Sequence, residues 1–363
     1  MIAYTYFGYP AWLWLRSRWH PRPVQAGPCT PLVSIVMVVR NEAKVLEVKL
    51  RNLLGLNYPP KLCEIVIVSD GSTDGSAEIL SAYQQNTRVR TVVHPDPAGK
   101  AAGLNAGMAA AGGEIVLFTD ARQTVEPDAL RFLMENFADA KVGCASGELV
   151  LGDRESGESA VGMGLYWRIE KSVRQLESKS GSVVGATGAL YAVRRNLLSP
   201  LPQETILDDV YIPMQVSQQG FRVVLDGRAR AWDVPDQGRD REFSRKVRTL
   251  GGNYQLLQLA PWLLSSRNPL RFEFISHKLL RLLIPLALAA ALVSSAFLNG
   301  PIYRIALALQ LAFYGLSLIA LMEWKRGPIA RLADASLTFV VLNTAALVAL
   351  ANFVTGRKAA WGR

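Results

Sequence analysis

Carboxylates close several short apolar runs in this chain, and their placement suggests chemistry. Glu42 follows Val33 to Val39, Asp70 follows Ile65 to Val68, and Asp120 follows Glu114 to Phe118. The pair Asp208-Asp209 stands between Ile206-Leu207 and Val210-Tyr211. A carboxylate can cap a helix, hold a hard divalent cation through oxygen, or take a proton from a hydroxyl. Two adjacent carboxylates also raise each other's pKa by like-charge repulsion. Basic residues stand beside them: Arg40, Arg122, and Lys100 in a Gly/Ala-rich turn where its ammonium can approach a phosphate without competing bulk.

The apolar runs explain how such residues could meet. Val33 to Val39 is continuous, β-branched and apolar, as a buried parallel strand requires. Val45, Leu46, Leu50, Leu53 and Leu54 then repeat at helical spacing. Ile65 to Val68, Val89 to Val93 and Glu114 to Phe118 read as further strands. Helices are expected near 75–84 and from Pro127, where a proline at an N-terminal position costs nothing. Strand–helix alternation predicts an open, doubly wound α/β sheet, whose ligands sit beyond the carboxyl ends of the strands. Asp74 reads as a helix cap.

Composition excludes several classes. The chain has 363 residues, 50% hydrophobic and 19% charged, with net charge +10. It is too apolar for a disordered protein and too poor in charge for an ordinary soluble domain, typically about 25% charged. Cys29, Cys63 and Cys144 are too few and scattered for a disulfide framework or zinc site. No G-x-G-x-x-G follows the first strand, and neither a P-loop nor a G-x-S-x-G elbow occurs. Basic residues gather near apolar runs, without the aromatic interleaving of a nucleic-acid stripe.

Those runs predict a membrane portion. Residues 282–303, 305–322 and 335–356 are uncharged and close to the roughly 20 residues a span needs. Three transmembrane helices are expected across 282–356, preceded by an interfacial amphipathic region over 251–281. Residues 1–15 form a short N-terminal membrane segment closed by Arg16, Arg18, His20 and Arg22. The positive-inside rule puts 16–281 in the cytoplasm, with Lys325, Arg326 and Arg331 also inside. Arg357, Lys358 and Arg363 then fall outside, against the rule.

Taken in order, VSIVMVVRNE (33–42), IVIVSDGSTDGS (65–76), GKAAGLNAG (99–107) and IVLFTDARQTVEPDAL (115–130) resemble the nucleotide-sugar half of family 2 glycosyltransferases with the GT-A fold. GATGALYAVRR (185–195), TILDDVYIPM (205–214) and REFSRKVRTLGGNYQ (241–255) resemble the acceptor half. With the C-terminal spans, the whole is similar to the membrane-embedded branch that includes cellulose, hyaluronan and chitooligosaccharide synthases. The resemblance implies a cytoplasmic GT-A domain over 30–250, a Rossmann-like nucleotide-sugar fold.

It also implies roles. Arg40, Glu42, Asp70, Lys100, Asn105, Asp120, Arg122 and Arg248 would bind the nucleotide sugar, Asp70 taking the uracil imide and Asn105 supporting the Lys100 turn. Gly185, Thr187 and Gly188 would line the acceptor site. Asp209 would be the catalytic base with Asp208 beside it, and Asp120 would anchor Mg2+ or Mn2+. Two departures stand out: Arg122 replaces the second Asp of the family's Asp-x-Asp, and Arg245 and Thr249 replace the Gln and Trp around Arg248. Trp167, Glu170 and Arg174 share one helical face that reads as packing.

The reading is an inverting, membrane-bound hexosyltransferase. It would use a UDP-sugar and a lipid-linked or polysaccharide acceptor in exopolysaccharide or glycolipid synthesis, at the inner (cytoplasmic) membrane. Membrane lipids and an export partner are expected, and no nucleic acid. The alternatives are a polyprenyl-phosphate glycosyltransferase and a non-catalytic membrane scaffold.

Overall fold

The computed structural model describes residues 1–152, 165–234, 239–321 and 327–357. Lys325, Arg326, Lys358 and Arg363, on which part of the orientation argument rests, lie outside them. A π-helical turn (Tyr4–Gly8) leads into α1 (Tyr9–Trp19), and the alternating unit follows: β1 (Val33–Val39), α2 (Ala43–Leu54), β2 (Cys63–Asp70), α3 (Ser76–Ala82), β3 (Val89–His94), α4 (Lys100–Ala110) and β4 (Ile115–Phe118). Next come β5 (Thr124–Val125), α5 (Ala129–Glu135), β6 (Val142–Leu151), α6 (Leu165–Ser180), β7 (Tyr191–Arg194), α7 (Asp208–Gln218) and β8 (Arg222–Asp233).

These strands make one sheet in the order β3-β2-β1-β4-β7-β6-β8-β5. The first four are parallel, so the turns after β1, β2 and β4 open on one edge. β7 runs antiparallel between β4 and β6, so the sheet is mixed where the alternation predicted parallel strands. Every residue of β1 is buried, which is why its sequence shows no polar alternation. Leu46, Leu50 and Leu53 of α2, with Leu130 and Leu133 of α5, cover one face of the sheet. Leu104 of α4 and Ile212 and Met214 of α7 cover the other. A Cβ on Gly107 would lie 2.5 Å from Val36 Cγ1, so α4 can sit this close to β1 only because glycine stands there.

After the sheet, α8 (Arg239–Leu259) returns over the site. A short helix α9 (Arg271–Phe274) runs through a π-helical stretch, Ile275–Leu279, into α10 (Leu280–Phe297) without a break. The first long apolar helix therefore begins at Arg271, inside the region expected to be interfacial. With α11 (Pro301–Leu321) and α12 (Pro328–Val354), three helices are long and apolar enough to cross a membrane. In α11 only Ser317 is buried, and one side of its apolar cylinder faces outward. Two polar residues of α12 find carbonyls close by: Asn343 donates to Phe339 O at 2.8 Å, and Ser336 to Phe313 O at 2.6 Å.

Candidate active site

Three strand-end turns are stitched together before any ligand arrives. Asp74 accepts the Ala43 N–H at 2.9 Å and the Ser76 hydroxyl at 2.6 Å, capping α2 and α3 at once. Burial pushes its carboxyl up, but these hydrogen bonds outweigh that and hold it below its usual value. Asn41, at φ 55°, accepts the Thr73 N–H at 2.8 Å. Arg40 and Glu42 therefore flank a preformed β1–β2 edge. Burial raises the Glu42 pKa and the nearby Arg122 charge opposes it, so Glu42 and Arg122 share one locality.

Asp70 is wholly buried. Its Oδ1 accepts the Ala98 N–H at 2.7 Å and its Oδ2 the Gly99 N–H at 2.9 Å, with His94 Nδ1 3.4 Å away. The carboxylate expected to face a base accepts two backbone N–H groups and fixes the turn that starts α4. Lys100 follows directly, its Nζ 3.1 Å from Asp120 Oδ1 and 3.1 Å from Asp208 Oδ1. Burial alone would lower its pKa, but Asp120, Asp208 and Asp209 together raise it above the usual lysine range. Asn105 stands apart from this cluster: its amide exchanges hydrogen bonds with the Leu201 backbone at 2.9 and 2.7 Å, tying α4 to the segment before α7.

Asp208 and Asp209 open α7 and part company at once. Asp208 is buried between Lys100 and the Tyr191 hydroxyl, which donates to Oδ2 at 3.3 Å. Asp209 lies on the other side, against the glycine turn: a Cβ on Gly188 would come 3.3 Å from its Oδ2. Its backbone carbonyl accepts the Ala186 N–H at 2.6 Å. Gly185 holds φ +94°, a conformation only glycine adopts freely. Thr187 is fixed from behind, its N–H donating to Ser146 Oγ at 2.9 Å and its hydroxyl accepting from Arg174 at 2.8 Å. Burial, then the Asp208 charge, push the Asp209 carboxyl from 3.8 to about 6; Lys100 and Lys278 act against the rise. A carboxyl in that range is ionised at neutral pH yet basic enough to accept a proton.

Arg248 stands on α8 one turn before Gly252, and Gln255 follows on the same face. Gln255 Oε1 accepts the Ile206 N–H at 3.0 Å while its Nε2 donates to Glu204 O at 2.9 Å. A Cβ on Gly252 would meet Leu207 at 2.6 Å. This face of α8 thus clamps the segment leading into Asp208-Asp209. The Trp167-Glu170-Arg174 face also does more than pack: Arg174 braces Thr187, and Glu170 pairs with His277 and Arg281.

Sequence reasoning passed over Lys49, wholly buried on α2. It donates to Thr119 Oγ1 at 2.9 Å and Gln123 O at 2.7 Å, from beneath the Asp120 turn. The signal was present: Lys49 falls three residues after Leu46 and four before Leu53, on the apolar face of the helix. Gln255, Tyr191 and Lys278 act across the chain and carry no local signature.

Among the described residues, no group of three His, Cys, Asp or Glu side chains forms a cation cage. The Asp120 side chain is 41% exposed and has an oxygen beyond the one that meets Lys100. A single carboxylate sharing a hard cation with substrate phosphates is a common magnesium arrangement, and the residues fit that mode.

Comparison with known proteins bears on the fold that carries this site. Residues 34–201 match the model of the family described as glycosyl transferase family 2. The poly-beta-1,6-N-acetyl-D-glucosamine synthase of Staphylococcus aureus (strain COL) is 24% identical over 229 residues, covering 62% of this chain and 55% of that one. The Staphylococcus epidermidis synthase of the same name is 24% identical over 234 residues, covering 63% and 56%. The chain thus spans a little over half the length of these curated relatives. Among solved structures, a mannosyltransferase from Pyrobaculum calidifontis in complex with GDP-Man and Mn2+ superposes with a TM-score of 0.74. It is 23% identical and covers 98% of this chain and 97% of that one, which establishes a common fold. Residues 34–201 are thus similar to family 2 glycosyl transferases, and the fold is GT-A.

Proposed function

We propose that this protein is an inverting, membrane-seated glycosyltransferase that moves a sugar from a UDP-sugar onto a hydroxyl of a lipid-linked or polysaccharide acceptor. The carrying observation is the parting of Asp208 and Asp209. Asp208 joins Lys100 and Asp120 on the nucleotide side, and Asp209 faces the Gly185–Gly188 turn. In this reading Lys100 and Arg122 hold the diphosphate, Arg40 and Glu42 flank the nucleoside, and Arg248 approaches the diphosphate from α8. A Mg2+ or Mn2+ ion held by Asp120 would supply further charge neutralisation for the leaving diphosphate.

The acceptor oxygen attacks the anomeric carbon from the face opposite the diphosphate while Asp209 takes its proton. The new glycosidic bond forms as the bond to the diphosphate breaks, so the anomeric configuration inverts. Both curated relatives are named as synthases of an N-acetylglucosamine polymer, which supports a sugar acceptor and a place in polysaccharide synthesis. The three long apolar helices support a membrane seat, and the basic residues that follow residues 1–15 support a catalytic domain on the cytoplasmic face of the inner membrane. There membrane lipids surround the spans and an export partner would carry the product away. The test is nucleotide release by purified protein across UDP- and GDP-sugars, followed by analysis of lipid-extractable and polymeric products. Release of UDP with a β-linked product from an α-linked donor supports the reading. A product linked through phosphate, or release of GDP alone, would replace it.

A further inference from the structure

Glu177 of α6 is 1% exposed, and the fold gives its carboxylate partners from three separate segments. The Tyr9 hydroxyl of α1 donates to Oε1 at 2.7 Å, and His277 Nδ1, in the π-helical stretch, lies 2.8 Å from the same oxygen. Oε2 accepts the Val184 N–H at 3.3 Å. Ile169, Val173 and Leu176 of the same helix form an apolar strip beside it. A carboxylate buried next to such a strip is costly unless it is hydrogen-bonded. These three partners meet that need, and none of them belongs to the nucleotide side of the site.

Val184 leads into the acceptor turn. Gly185 follows at φ +94°, and the Ala186 N–H donates to the Asp209 carbonyl at 2.6 Å. A Cβ on Gly185 would lie 3.3 Å from that carbonyl, so the turn and the start of α7 fit closely. Arg174 stands three residues before Glu177, hence beside it on the helix surface, and donates to the Thr187 hydroxyl at 2.8 Å. One face of α6 therefore holds the turn at Val184 and at Thr187, and the stretch between them holds the Asp209 backbone. Arg174 is anchored within the sheet domain, to Ser146. Glu177 reaches outward instead, to α1 and to the helix that begins the membrane portion.

We infer that Glu177 is a positioning residue for transfer: its carboxylate fixes the Val184 amide, and through it the Gly185–Gly188 turn and the Asp209 backbone, against α1 and the start of the membrane helices. This deepens the reading of Asp209 as the base and rests on it. Glu177 acts through the turn rather than on the substrate. It sets where an acceptor hydroxyl meets the base. The nucleotide side is held separately, by Asp70 on the turn before Lys100 and by Lys100 on Asp120 and Asp208.

The experiment uses the full chain in detergent or nanodiscs, with Glu177→Met, Glu177→Asp, Glu177→Gln and Asp209→Asn. Three quantities are read: amide hydrogen exchange over residues 184–188, affinity for UDP, and kcat for transfer per UDP-binding site with the UDP-sugar that the nucleotide-release screen identifies. Glu177→Met leaves the Val184 N–H without its acceptor. Exchange at Val184 and Ala186 should quicken, and kcat should fall by about ten- to a hundredfold, as small misplacements of a reacting group do. UDP affinity should stay unchanged. Glu177→Asp draws the carboxylate back from Val184 and should act in the same direction, a second route should Glu177→Met fold poorly. Glu177→Gln keeps an oxygen for the Val184 N–H and can donate to the Tyr9 hydroxyl, so it should restore both exchange and kcat. Native exchange in Glu177→Met and Glu177→Asp overturns the inference. So does native kcat beside a loosened turn, UDP affinity that falls in step with kcat, or a Glu177→Gln as impaired as Glu177→Met. Each of these leaves Asp209 standing as the base if Asp209→Asn is inactive. Transfer retained by Asp209→Asn would remove the base itself, and the inference with it.

Discussion

Lys49 Nζ donates to the Thr119 hydroxyl at 2.9 Å, one residue before Asp120, from a wholly buried position on α2. Burial pushes this lysine down from 10.5 to about 7. Between those two values the unfolded chain binds the proton that the folded chain has released, so stability rises with pH across that window. Thermal melts should show the rise, and Lys49→Met should remove it. The variant also strips a donor from Gln123 O and Thr119 Oγ1, a cost of about 1–3 kcal/mol at neutral pH. Transfer should fall with it as the Asp120 turn loosens.

Asp209→Asn should keep near-normal UDP affinity while turnover falls by about 10² to 10⁴, the usual contribution of a general base. In the native enzyme kcat should fall below pH 6 as the carboxyl takes up its proton. The same substitution should stabilise the protein. A carboxyl raised from 3.8 to about 6 makes folding favourable while protonated and loses that advantage as pH rises through the window. Above pH 6 the asparagine variant should melt at a higher temperature than the native chain. Below pH 4 the difference should vanish.

Removal of divalent cations tests the diphosphate side. EDTA should inhibit transfer and Mn2+ or Mg2+ restore it, and Asp120→Asn should abolish transfer. Full activity in EDTA would put Arg122 in the cation's place, and Arg122→Asp should then acquire a metal requirement.

Asp70→Ala removes the acceptor for the Ala98 and Gly99 N–H groups and so frees the turn that presents Lys100. Weaker UDP binding is expected, by the about 1.5–3 kcal/mol typical of a hydrogen bond to a charged group. Titration of UDP against both proteins measures it. The defect acts through Lys100, so Asp70→Ala and Lys100→Ala should combine with far less than additive cost.

Gly252→Val would drive a side chain into Leu207, 2.6 Å from the new Cβ. The displaced segment leads straight into Asp208-Asp209, so turnover should fall more than UDP affinity. Steady-state kinetics beside UDP titration separates the two.

The parallel half of the sheet was legible because its strands are buried on both faces and keep no polar alternation. The turns after β1, β2 and β4 were legible because each closes an apolar run with charge. The antiparallel insertion of β7 was hidden: Tyr191 to Arg194 is four residues long and pairs with strands more than forty residues away. Asp70 was found at its place, but its orientation depends on amides twenty-eight and twenty-nine residues on. Glu170 and Arg174 read as a packing face because their partners, His277, Arg281, Thr187 and Ser146, lie far along the chain. Residues that reach a neighbour in sequence announce themselves; those whose partners come from another layer do not.

The Tyr9–Glu177 hydrogen bond bears on how the protein can be handled. Tyr9 and Leu13 are buried against Ile169, Val173 and Leu176, and Arg16 pairs with Glu273 at 2.5 Å. The opening helix is therefore mortared into the wall behind the acceptor turn. Trimming the chain to begin near residue 30 would uncap Glu177 and bare an apolar strip of α6, leaving only His277 and the Val184 N–H on that carboxylate. A protein shortened that way would keep its nucleotide pocket and lose the footing of its acceptor side. Hydrolysis of the donor by such a fragment would say little about the native product.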